Sequence, residues 1–239
     1  MPRALRVVLT DLDDTLFDHD RATRLALSDV LGSDPVCAQW TIDELDRHHR
    51  VLLEAIHLRV LAGELGVDDA RVERFGRLLE QAGDVAAASR APGIARAYRR
   101  AYETSWFPVD GALALVAHIK QQGASIVIVT NNTVAEQREK VARLGLDAFV
   151  DHLVTSEETR CSKPAPAIFH EALRRANASA DVAVMLGDAW ATDIEGAKAA
   201  GLRPVWLNRF GAASPDPTVD ELTSLAPATA AMAVLRRGM

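Results

Sequence analysis

The sequence predicts an α/β fold, a doubly wound parallel sheet interrupted by one inserted helical segment. Three observations predict it. Short, near-continuously apolar runs rich in β-branched residues recur at 5–10, 125–130, 182–186 and 204–207, the pattern of strands buried on both faces. Helical patterns lie between the later runs, and strand alternating with helix makes a parallel sheet. From Phe17 to about Pro108 strand signals stop, and helical periodicity alone remains.

The elements follow in chain order. The first strand, 5–10, runs straight into Asp11-Leu12-Asp13-Asp14-Thr15. In the strand-free interval Leu52, Ile56 and Val60 recur every fourth residue. Val72, Phe75, Leu78 and Ala82 form a second face, and Ile94, Tyr98 and Tyr102 a third. Turn signals at Ser33-Asp34-Pro35 and Gly66-Val67-Asp68-Asp69 divide the interval into roughly four helices. The expected organisation is an α/β core from 1–16 and 109–239, with a helical cap from 17–108. After the second strand a helix over 134–144 stops at Gly145, a further helix at 165–175 follows Lys163-Pro164, and one at 192–200 stops at Gly201. The segment 212–217 reads as a surface loop and 225–237 as a closing helix.

Bulk properties narrow the classes of function. A length of 239 residues fits one large domain, or a domain with a small one added. With 49% hydrophobic and 25% charged residues the chain is neither disordered nor membranous. A net charge of -6 argues against a nucleic-acid polymer as partner. No apolar run approaches the roughly 20 residues of a membrane span. The start reaches two aspartates too soon for a secretory signal. Cys37 and Cys161 stand in unrelated contexts, so no disulfide framework is expected. A cytoplasmic monomer or homodimer is the expectation.

The candidate chemistry sits at strand ends, where ligands bind in open α/β sheets. Side chains alternate along extended backbone, so Asp11 and Asp13 point the same way while Leu12 points into the core. Two close carboxylates repel unless a cation lies nearby. A second acidic pair follows the third apolar run, as Gly187-Asp188 and then Asp193. Clustered aspartate oxygens suit a hard cation such as Mg²⁺, which bridges well to phosphate. Thr130 ends the second run, followed by the backbone amides of Asn131 and Asn132 at the opening of the next helix. Lys163 precedes a proline-started helix, where a fixed ammonium neutralises anionic charge.

Asp11-x-Asp13-x-Thr15, Thr130, Lys163 and Gly187-Asp188 with Asp193 resemble, in order, the four motifs of the haloacid dehalogenase-like hydrolase superfamily. The likeness spans about 5–209. The helical insert is similar to the cap of its first subclass, nearest the nucleotidase-like and acylneuraminate-phosphate-phosphatase-like phosphatases. Asn132, where many relatives have Gly, and Ala165 depart from the pattern. The resemblance implies a Mg²⁺-dependent phosphomonoester hydrolase acting on a small phosphorylated metabolite, a nucleotide or a sugar phosphate. Asp11 is then the nucleophile and Asp13 the general acid and base. Thr130, the Asn131 amide and Lys163 bind the phosphoryl group. Asp11, the Asp13 carbonyl and Asp188 hold the metal, with Asp193 a ligand or a support behind the ligands. An acid at position 13 favours phosphate esters over dehalogenation. A phosphomutase of the same superfamily is the alternative reading. A phospho-accepting receiver protein is the non-enzyme alternative, but its acceptor would stand on a later strand. Phe17, His19 and Arg21, at the cap entry, are candidate substrate contacts, and Trp190 a candidate lining residue. His48, His49 and His57 are expected to be surface or packing residues.

Overall fold

The computed structural model describes residues 4–238. In chain order the elements are β1 (Val7–Thr10), α1 (His19–Leu31), α2 (Ile42–Leu61), α3 (Val67–Gln81), α4 (Ala87–Thr104), α5 (Ala112–Gln121), β2 (Ser125–Thr130), α6 (Val134–Arg143), β3 (His152–Thr155), α7 (Ser156–Thr159), α8 (Pro166–Arg175), β4 (Ala183–Gly187), α9 (Glu195–Ala199), β5 (Arg203–Leu207), β6 (Asp220–Leu222) and α10 (Ala228–Leu235). They form two compact units, 19–106 and the remainder.

The larger unit is built on a six-stranded sheet in the order β3-β2-β1-β4-β5-β6, with every pair parallel. β1 lies between β2 and β4, so Thr10 pairs with both Ile128 and Leu186. The chain builds one side of β1 first and then crosses to the other. That reversal opens a crevice at the carboxyl ends of β1 and β4, the place where such sheets take ligands. All four residues of β1 are buried, as expected of a strand covered on both faces. Val7, Leu9, Val127, Val129 and Met185 pack with Phe169, Ala172 and Ala197 in one continuous core. α8 and α9 approach closely because Gly196 has no side chain. A Cβ there would lie 2.7 Å from the Phe169 ring.

Two strands carry too little apolar pattern to be read from sequence. β3 is half-exposed over His152 and Leu153, and β6 is the three-residue segment Asp-Glu-Leu. Both are edge strands, short and polar as edges tend to be. The closing helix is shorter than the expected 225–237, because Pro227 caps it and fixes its start. Phe17 and Asp18 belong with the sheet unit rather than the helical insert. Phe17 bridges to both Asp13 and Pro108, and the Asp18 N–H donates to Phe107 O at 2.9 Å.

The unit 19–106 is helical. α2 starts from a reciprocal capping box in which the Thr41 side chain accepts from the Glu44 N–H and the Glu44 carboxylate accepts from the Thr41 N–H. Leu52 and Ile56 are buried as the periodicity predicts, whereas Val60 is only half-buried. Phe75, Leu78 and Ala82, and then Tyr98 and Tyr102, bury the faces of the next two helices.

Candidate active site

The Asp11 N–H donates to Leu186 O at 2.9 Å, which continues the β1–β4 pairing one residue past β1. The chain then turns sharply. Leu12, fully buried, anchors the turn, and its carbonyl accepts from the N–H groups of Leu16 at 2.9 Å and Phe17 at 2.8 Å. Asp14 takes the left-handed conformation, at φ 63°, which aspartate tolerates better than most residues. Arg209, just beyond β5, pairs with Asp14 at 3.0 Å and with Asp18 at 3.2 Å. The third carboxylate of the Asp-Leu-Asp-Asp run thus braces the turn through Arg209. Thr15 is fully buried and donates to Asp188 Oδ1 at 3.0 Å, tying the end of β1 to the end of β4.

Lys163 is buried between two carboxylates, with its Nζ 2.5 Å from Asp11 Oδ1 and 2.6 Å from Asp193 Oδ1. Asn131 fixes the lysine's main chain. Its side-chain Oδ1 accepts from the Lys163 N–H at 2.7 Å, and its Nδ2 donates to Lys163 O at 2.9 Å. α6 begins only at Val134, with Thr133 as its N-cap. Asn131 and Asn132 therefore precede the helix rather than open it. The Val134 N–H is already taken by Glu157 at 2.8 Å.

Gly187 is required because Asp193 folds back against it. A Cβ at Gly187 would lie 2.4 Å from Asp193 Oδ2. Asp193 sits in a π-helical turn, Trp190–Ile194, rather than in the α-helix predicted over 192–200. Such turns recur at functional sites. Its second oxygen accepts from the Ala189 N–H at 3.0 Å. Trp206 Nε1 donates to Asp188 O at 2.8 Å, and Trp190 packs edge-on against Trp206 at 5.0 Å. One carboxylate oxygen each from Asp11, Asp188 and Asp193 lies within 4.8 Å of the others.

Burial pushes the Asp11 carboxyl well above its ordinary value; Lys163 opposes this, while Asp193, Asp188 and Asp13 reinforce it. Burial, with Asp193 and Asp14 nearby, raises Asp188 to about 7. Burial alone would lower the Lys163 ammonium, but Asp11 and Asp193 outweigh it and hold the lysine firmly charged. One ammonium thus faces three carboxylates. The hard oxygen donors and their unbalanced charge fit a divalent cation such as Mg²⁺.

Asp13 has its own partners, and these were not foreseen from the sequence. Lys140 Nζ lies 2.6 Å from Asp13 Oδ1, and Gln137 Nε2 donates to Asp13 Oδ2 at 2.8 Å. Gln137 Nε2 also lies 2.9 Å from Thr130 Oγ1. The signal for these two residues was present. Val141 and Leu144 are buried, and the helical spacing places Gln137 and Lys140 on that same inward side.

The structure brings Asp11, Lys163, Asp188 and Asp193 into one cluster, with Asp13 and Thr130 joined through Gln137. Phe17 does not fit the expected role of substrate contact, because it is fully buried beneath the Lys140 ammonium, 4.9 Å from its ring. His19 is engaged within the helical unit, its Nδ1 2.7 Å from the Tyr102 hydroxyl. His48 stacks on Trp40 at 4.4 Å, and His49 is buried against Phe75 and Tyr98. No helix among the described residues is long and apolar enough to cross a membrane.

The site is thus a carboxylate cluster with a buried lysine at the switch point of a doubly wound parallel sheet. The chain belongs to the haloacid dehalogenase-like hydrolase family, whose model matches residues 5–201. It is 31% identical to a glyceraldehyde 3-phosphate phosphatase of Pyrococcus furiosus, over 86% of this chain and 81% of that one. It is 34% identical to a phosphoserine phosphatase of Thermus thermophilus, over 91% of this chain and 96% of that one. Among solved structures, the HAD-hydrolase YfnB of Bacillus subtilis, crystallised with magnesium and described as showing interdomain movement, is 28% identical. It superposes with a TM-score of 0.75 over 93% of this chain and 96% of that one.

Proposed function

We propose that the protein is a Mg²⁺-dependent phosphatase that hydrolyses a small phosphorylated metabolite, a sugar phosphate or a nucleotide, through a phosphoaspartate at Asp11. The observation that carries this reading is the Lys163 ammonium held between Asp11 and Asp193, with Asp188 beside them at the switch point. Lys163 opposes the effect of burial on Asp11 and so favours its ionised, nucleophilic form. Asp11 attacks phosphorus, forming the new P–O bond while the bond to the leaving oxygen breaks. Asp13 gives its proton to that oxygen. It then takes a proton from water as the water attacks the phosphoaspartate, releasing phosphate and restoring Asp11. Thr130, the Asn131 amide and Lys163 bind the phosphoryl oxygens, where charge builds in the transition state. Asp11, the Asp13 carbonyl and Asp188 would hold Mg²⁺, which would supply positive charge between an anionic ester and an anionic nucleophile. Asp193 acts from behind by fixing Lys163 and the Ala189 amide. The identity of the ester is set by residues of the unit 19–106, with Arg21 as a candidate.

The test is phosphate release from a panel of sugar phosphates, nucleotides and phosphoserine, with Mg²⁺ or with chelator. The reading expects turnover of at least one ester that needs Mg²⁺ and disappears in Asp11→Asn. Full turnover in chelator without added metal, or inertness toward the whole panel, would refute it.

A further inference from the structure

Lys140 is a costly residue to place where it lies. Its side chain is 1% exposed, and lysine is almost never fully buried without a partner. An apolar residue of similar size would fill the same space without desolvating a charge, and such a replacement is often neutral or stabilising. The ammonium is instead surrounded by specific groups. It lies 2.6 Å from Asp13 Oδ1, 3.1 Å from Glu136 Oε1 and over the Phe17 ring. Gln137, fully buried one residue after Glu136, holds the other Asp13 oxygen at 2.8 Å and reaches Thr130 Oγ1 at 2.9 Å with the same nitrogen. The Gln137 Oε1 has no hydrogen-bond partner, so this amide is fitted to donate rather than to satisfy itself.

We propose that Lys140 and Gln137 are positioning residues that hold Asp13 by both carboxylate oxygens and align it with Thr130. The inference rests on the reading of Asp13 as acid and base. Each oxygen of Asp13 has a donor of its own on α6, so rotation of the carboxylate breaks at least one bond. Gln137 makes one distance depend on another: when Thr130 is drawn to the phosphoryl group, Asp13 is drawn with it. The leaving oxygen must meet Asp13 while the phosphoryl oxygens meet Thr130, and α6 sets that spacing. Effective proton transfer requires such alignment within hydrogen-bond reach.

The test exploits leaving groups. 4-Nitrophenyl phosphate releases a phenolate that needs little protonation, whereas glycerol phosphate releases an alkoxide that needs a proton. Rapid-quench measurement gives the first-step rate for each ester in wild type, Lys140→Met and Gln137→Leu. In both variants the alkyl rate should fall at least about tenfold while the aryl rate falls less than about threefold. Equal losses for the two esters, or no loss for either, would overturn the proposal. Gln137→Leu changes no charge, so it carries the test if Lys140→Met does not fold; if neither variant folds, the pair is structural and the proposal fails. Asp13→Asn in the same assay separates this inference from the reading beneath it. Burst behaviour in Asp13→Asn with wild-type ester selectivity in the α6 variants defeats only the α6 proposal. Steady turnover in Asp13→Asn defeats the reading itself.

Discussion

The buried lysines of the sheet unit and the buried His49 of the helical unit are ionisable groups that burial leaves in opposite states. In the sheet unit Lys163 and Lys140 are buried as charges, each against two carboxylates. In the helical unit His49 is buried with no hydrogen-bond partner on either ring nitrogen, packed between Phe75 and Tyr98. Burial pushes its pKa well down, helped by Arg74, His19 and Arg50, so it stays neutral. A buried ammonium between carboxylates keeps its charge, and a buried imidazole without a partner gives its charge up; the helical unit also keeps buried charge where it is paired, as at Asp84 beside Arg90 and Asp46 beside Arg50.

Replacing Lys163 should produce the largest effect. Lys163→Met removes a preorganised charge where charge develops and should lower turnover at least about a hundredfold, or roughly 3 kcal/mol. It also leaves Asp11 and Asp193 facing each other in the interior, which should cost about 3–5 kcal/mol of stability. Steady-state kinetics and denaturant unfolding measure the two losses separately. Near-normal turnover would remove Lys163 from the mechanism.

The candidate cluster was legible where polar residues end apolar runs. Asp11, Asp13, Thr130 and Asp188 follow apolar runs whose ends the sheet order brings together, and Lys163 precedes the proline-started α8. What stayed hidden depended on partners remote in sequence. Asp14 is explained by Arg209, which lies far along the chain. Gln137 and Lys140 look like solvated helix residues until Asp13 is seen beside them. Asn131 was expected to contribute its backbone amide, yet its side chain also cross-braces Lys163. The edge strands β3 and β6 escaped because short, polar edges carry no alternation worth reading.

The helical side of the comparison gives a smaller effect that depends on pH. An unfolded histidine titrates near 6.5, and folded His49 does so well below that. As pH falls through 6.5 the unfolded chain binds a proton that the folded chain refuses, so stability is lost downward from that point. The slope is at most about 1.4 kcal/mol per pH unit. His49→Leu removes the titrating group, so the stability of the variant relative to wild type should rise between pH 7 and pH 5. Parallel stability curves for the two proteins over that range would show that His49 does not titrate as described.

The smallest change falls on the cap of α2. Thr41→Ala removes the capping box and should cost about 1 kcal/mol of stability. Turnover should be unaffected, because Thr41 lies outside the strand-end cluster. Chemical denaturation and a standard turnover assay check the pair of outcomes.

The central claim is that Asp11 carries the phosphoryl group while Asp13 handles the protons. Asp13→Asn measures it most directly. With 4-nitrophenyl phosphate the first step should survive, because the leaving group needs little protonation. The second step should stall, because no base remains to activate water. The account predicts a burst of about one equivalent of nitrophenol per active site, and intact mass should then show one added phosphoryl group. The group should be absent from Asp11→Asn treated in the same way. Steady turnover by Asp13→Asn, with no burst and no added mass, would contradict the account.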